Sequence, residues 1–171
     1  MKYKILFIAL IIFFFSACKK ESNGTQLPAI THSGHDVLGY KINGKVVSVY
    51  NSFLSLITFY YYQSSGIVDI YASNRNPDCT LGFTFQYHDS LGNYPLSWIY
   101  PYNANFLDNT NGKISGTHCS ANYSIDSIYN GTVTIAFFDG NNISGYFQFD
   151  AISDSGVVVH ITDGIFDLYE N

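Results

Sequence analysis

The stretch GTVTIAFFDGNNISGYFQFDAISDSGVVVHITDGIFDLY, residues 131 to 169, decides the fold class. Apolar and polar side chains alternate through it with a period of two, the spacing of a strand with one buried and one wet face. In GTVTIAFF, Val133, Ile135 and Phe137 fall on one side, Thr132 and Thr134 on the other. In ISGYFQFDA, Ile143, Phe147, Phe149 and Ala151 share a face, while Tyr146, Gln148 and Asp150 share the opposite one. VVVHITDGIFDLY reads as two strands around Asp163-Gly164, a dipeptide suited to a tight turn because both residues tolerate positive φ.

Further out, INGKVV places Asn43-Gly44 between apolar runs, the same hairpin signal. Strands are also expected over 53 to 62, 67 to 73 and 79 to 88, and FYYYQ at 59 to 63 reads as one with a buried and a wet face. Residues 89 to 118 are rich in Asn, Gly and Pro and are the least regular part. Turn signals recur at roughly 8- to 12-residue intervals, which points to a sandwich or barrel. No convincing 3.6-residue period follows residue 36, and no repeat or second domain is evident. The expectation is all-β: one antiparallel β-sandwich or flattened barrel of about nine or ten strands over residues 37–171.

Composition agrees with a packed β domain. Aromatic residues make up 18% and charged residues 12%, too much apolar material and too little charge for disorder. The formal charge is −5; without Lys2 and Lys4 the basic residues number six against thirteen acidic ones, a balance of −7. That disfavours a nucleic-acid partner, which demands clustered Lys and Arg, and equally disfavours electrostatic docking on anionic lipid, so neither is expected.

The amino terminus explains a different attachment. Lys2 and Lys4 precede an 11-residue apolar run from Ile5 to Phe15. A spanning helix needs roughly 20 apolar residues, so this run is a secretory signal instead. Ser16-Ala17-Cys18 resembles a lipobox, the motif at which bacterial lipoproteins are acylated on Cys and cleaved before it; Phe15 stands where Leu is usual. The expectation is a signal peptide at 1–17, a lipidated Cys18, and a polar flexible tether at 18–36, on a cell-envelope lipoprotein of the outer membrane. Acyl chains contribute about 0.8 kcal/mol per buried methylene, so several chains hold the protein at the membrane.

The carboxy-terminal order GTVTI, ISGYFQFDA and SGVVVHITDGIFD, together with the early NG hairpin, resembles a family of uncharacterised Bacteroidota lipoproteins, a domain of unknown function. The match runs from Gly131 to Asp167, with weaker agreement at YKINGKVV. What the resemblance implies is an envelope-anchored β protein, and it brings no catalytic residue with it.

Candidate chemistry is sparse. Cys79 and Cys119 remain once Cys18 is lipidated, an even pair in an oxidising compartment. Their strand parities allow both to point inward, as a disulfide or as two separately buried thiols. Neither has the CxxC partner of a zinc site. His32, His35 and Asp36 lie in the tether, where no scaffold would fix a metal geometry; His160 reads as an outward strand residue. There is no G-x-S-x-G elbow or phosphate loop, and the only two Glu are Glu21 and Glu170 at the ends of the mature chain, so neither an enzyme nor a cofactor is expected. The most suggestive stretch is YPLSWIYPYNANF, residues 94 to 106, where Trp98, Tyr100 and Tyr102 alternate. They form either part of the core or an aromatic face for a carbohydrate or small apolar ligand. The expected role is therefore non-catalytic, structural or interactive, with a glycan or envelope protein as partner.

Overall fold

The computed structural model describes residues 26–53, 55–75, 78–97, 104–108 and 121–170. Among them are eleven strands and no helix: β1 (Val37–Ile42), β2 (Lys45–Tyr50), β3 (Ser55–Tyr62), β4 (Ile67–Arg75), β5 (Asp78–Gln86), β6 (Gly92–Leu96), β7 (Ala104–Asp108), β8 (Ala121–Ser124), β9 (Gly131–Phe138), β10 (Asn142–Ser153) and β11 (Val158–Tyr169). Every pairing is antiparallel.

One layer runs β2-β1-β11-β10-β9-β6 and the other β3-β4-β5-β7-β8. At 12 residues, β10 is long enough to pair with β9 along Ile143–Phe149 and with β8 at Ile152 and Ser153, so it carries the ladder from one layer into the other. Among the described residues the opposite edges, β2 and β3, form no continuous ladder, an isolated Ser52–Ser55 bridge just beyond β2 being their backbone pairing, so the sheet stays an open sandwich and does not close into a barrel. The layers pack through aromatic rings: Phe83 of β5 lies 4.8 Å from Phe147 of β10 and 6.0 Å from Phe166 of β11. Leu38, Tyr40, Phe59, Ile70, Phe85 and Leu168 complete the buried interior.

The Asn43-Gly44 hairpin forms as the sequence implies, with φ of 47° and 83° at its two turn residues and Ile42 facing Lys45. Asp163-Gly164 does not turn the chain. β11 is a single strand that continues through it, paired with β10 on one side and β1 on the other. Phe147 faces Gly164 and Phe149 faces Ile161, so three steps along β11 match two along β10: a bulge, with Asp163 at φ 51°. Positive φ serves a bulge as well as a hairpin, and here the flanking strands run past on both sides. The extra residue flips the strand, so Val159 and Ile161 face inward before it and Phe166 and Leu168 after it. Gly164 is obligatory, since a Cβ there would lie 2.4 Å from the Phe147 carbonyl oxygen.

A second bulge corrects a facing in β9. Gly145 pairs with Ile135 and Ser144 with Phe137, so Ala136 is the extra residue. Phe138, not Phe137, turns to the core and meets Tyr61 and Tyr87 edge-on at 5.0 and 4.9 Å.

Candidate functional site

The outer face of the β1–β11–β10 layer is where side chains of chemical interest gather. Residues 26–36, expected as part of a flexible tether, are in fact fixed across it as a strap. Pro28 sits over Gly39, where a Cβ would come within 2.5 Å of its Cδ. Thr31 donates to Asp167 Oδ2 from its backbone N–H at 2.8 Å and its hydroxyl at 2.6 Å, and the Gly34 N–H donates to Oδ1 at 2.8 Å. His32 shares a hydrogen bond with the Ser144 hydroxyl and packs its ring 5.6 Å from Phe137. Asp36 then accepts the Tyr169 N–H at 3.1 Å as the chain enters β1. The strap turns through positive φ at His32 (59°), Gly34 (64°) and Asp36 (51°), conformations open to Gly and tolerated by short polar residues.

Asp167 thus points outward from β11 yet is wholly buried. Burial pushes its carboxyl up, but the bonds from Thr31, Gly34 and His32 outweigh that and hold it below the usual carboxylate range. Its chemistry is spent on the strap.

The strap leaves part of this face open, Tyr146 and Gln148 among it. Beyond its edge lies a groove of about 490 Å³, with Leu27 of the strap and Ile165 along one wall. Thr132 and Thr134 of β9, Tyr146 and Gln148 of β10 and Asp163 of the bulge complete it. A second hollow of about 320 Å³ shares Thr132 and Gln148 and adds Asn130, Asp150 and Thr162. The ionisable groups at the rim are paired: Lys41 Nζ lies 2.9 Å from Asp163 Oδ2, and His160 Nδ1 2.7 Å from Asp150 Oδ1. Thr134 donates to Asn93 Oδ1 at 2.6 Å. Among the described residues, the side chains of Thr132, Tyr146 and Gln148 form no hydrogen bond, so their donors and acceptors face the groove open. Tyr146 is 50% exposed, offering a ring face and a hydroxyl on a rigid central strand.

Other residues singled out from the sequence fall elsewhere. Cys18, Trp98, Tyr100, Tyr102 and Cys119 lie outside the described residues, as does the signal peptide. Cys79 lies in β5, its backbone opposite Asn74 and Asp108. His160 is outward, as expected, and FYYYQ has Phe59 buried with Tyr60 and Tyr62 outside. Sequence reading placed Tyr146 and Gln148 on the wet face of β10 but carried no sign of the groove. Its strap wall belongs to a segment without periodicity, brought from more than a hundred residues away.

No family model, curated protein or solved structure matches this chain.

Proposed function

We propose that this chain is a non-catalytic lipoprotein of the bacterial cell envelope, anchored to the outer membrane through Cys18 and presenting its β-sandwich as an interaction domain. The observation that carries the anchoring is Ser16-Ala17-Cys18 directly after an 11-residue apolar run with Lys2 and Lys4 before it. The resemblance of residues 131 to 167 to Bacteroidota lipoproteins supports the same placement. An interaction role, not turnover, is supported by how the carboxylates are used: Asp167 holds the strap, while Asp139 accepts the N–H groups of Asn141 and Asn142 and so closes the turn before β10. A set of open hydrogen-bonding side chains around a half-exposed ring supports binding. Fractionation of cells producing wild type and Cys18→Ser tests this. Wild type is expected in the outer-membrane fraction and the variant outside it; equal partitioning of the two removes the lipid anchor.

A further inference from the structure

We propose that the groove between Leu27 and Thr132 is a binding site for a neutral saccharide, with the Tyr146 ring as its stacking platform. This rests on the reading of the domain as an interaction module. A pyranose ring presents an apolar C–H face and a rim of hydroxyls that both donate and accept. The groove matches that chemistry: a half-exposed aromatic ring, flanked on the neighbouring strand by the Thr132 hydroxyl and two residues along β10 by the Gln148 amide. All three have hydrogen-bonding capacity not consumed by the protein among the described residues. Threonine hydroxyls and glutamine amides donate and accept without charge, as a neutral sugar requires.

Charge narrows the class. At the rim Lys41 is taken by Asp163 and the His160 ring by a hydrogen bond with Asp150, so among the described residues no lysine of the rim stands free to meet a phosphate, sulfate or uronate, and the chain as a whole is at −5. Size fits as well, since about 490 Å³ lies within the roughly 300–1,000 Å³ of ligand clefts. The second hollow continues past Thr132 and Gln148, so the site extends beyond one sugar ring towards Asp150. The platform is also preorganised: Tyr146 pairs with Thr134 on one side and Ile165 on the other, and the Asp163 bulge sets the depth of the floor beside it.

The same sugar chemistry can arrive as a free oligosaccharide or as the headgroup of a glycolipid. The mature protein, purified in a non-glycosidic detergent, should be tested on a printed array of neutral oligosaccharides and on phosphatidylcholine liposomes carrying digalactosyldiacylglycerol. Retention on the array identifies a free glycan; retention on the liposomes alone identifies a headgroup. In either case Tyr146→Ala is expected to weaken binding by roughly tenfold or more, the size of a central aromatic contact. Gln148→Ala should weaken it several-fold, and Tyr71→Ala on the opposite layer should leave it unchanged, all at an unaltered melting temperature. If Tyr146→Ala melts early, Tyr146→Phe decides together with Gln148→Ala, the first retaining binding and the second weakening it several-fold. Failure of the wild type on both surfaces, or retention indifferent to Tyr146 and Gln148, overturns the site. Either failure leaves anchoring through Cys18, read by fractionation, untouched.

Discussion

Replacing Asp167 by Asn removes one charge and keeps the shape, which makes it a sharp test of the strap. The carboxylate accepts from Thr31 at Oδ2 and from Gly34 at Oδ1. An amide offers an acceptor on one side only, so either orientation leaves one of those backbone N–H groups facing an NH₂ donor. Hydrogen bonds to charged groups contribute about 1.5–3 kcal/mol each, so the loss of one, with weakening of the others, costs about 2–3 kcal/mol. Because the strap is a surface segment, that cost appears first as local detachment. Amide exchange at Thr31 and Gly34, corrected for intrinsic rate, is expected to quicken about 30- to 150-fold in Asp167→Asn at neutral pH. The wild type should approach the variant in acid. Its folded carboxyl titrates below the ordinary value near 3.9, so the stabilisation is complete above that value and is lost as pH falls through the folded one. Unchanged protection in the variant, or wild-type protection that survives once this carboxyl is protonated, would refute the role given to Asp167.

The bulges and buried tyrosines make further predictions. Gly164→Ala forces a Cβ to 2.4 Å from the Phe147 carbonyl and 2.6 Å from its ring, where backbone must move. It should cost about 3 kcal/mol and lower the melting temperature by roughly 6–12 °C in thermal unfolding. A neutral Gly164→Ala would mean that β11 does not run this close to β10. Phe138→Ala should destabilise by about 2–3 kcal/mol in urea titration and Phe137→Ala by less, since only Phe138 meets Phe59, Tyr61 and Tyr87; the reverse order would place the bulge elsewhere. Burial, with a smaller push from the Asp89 carboxylate, raises the hydroxyl pKa of Tyr61, and burial likewise dominates at Tyr87. Raised folded values mean stability that is full below about 10 and declines as pH rises through them. Chemical denaturation across that range should show the decline, and Tyr61→Phe should reduce it.

Strand content was legible because its signals are local. Alternation in β10 placed Phe147, Phe149 and Ala151 inside and Tyr146 and Gln148 outside, and Asn43-Gly44 carried its own turn chemistry. Asp163-Gly164 misled because a bulge and a hairpin call for the same positive φ. What separates them is whether partner strands continue on both sides, a fact held in β1 and β10 and not in the dipeptide. Phe137 and Phe138 differ only by the phase slip at Ala136, which no neighbouring residue announces. The strap was hidden for another reason: it is held by hydrogen bonds and by single contacts such as Pro28 on Gly39, not by a periodic apolar face, so it has no period to read. One sign of it existed. Asp167 interrupts the apolar run GIFDLY, and a carboxylate there needs donors from somewhere. The groove followed from that docking, with Leu27 as a wall, and was invisible without it.

Anchoring through Cys18 is the claim from which the envelope role follows, and the mature amino terminus tests it most directly. Mass spectrometry of the amino-terminal peptide from membrane-extracted protein should find a chain that begins at Cys18 and carries a glycerol-linked pair of acyl chains on the thiol. A mature chain that begins elsewhere, or an intact Cys18 with a free thiol, would contradict it.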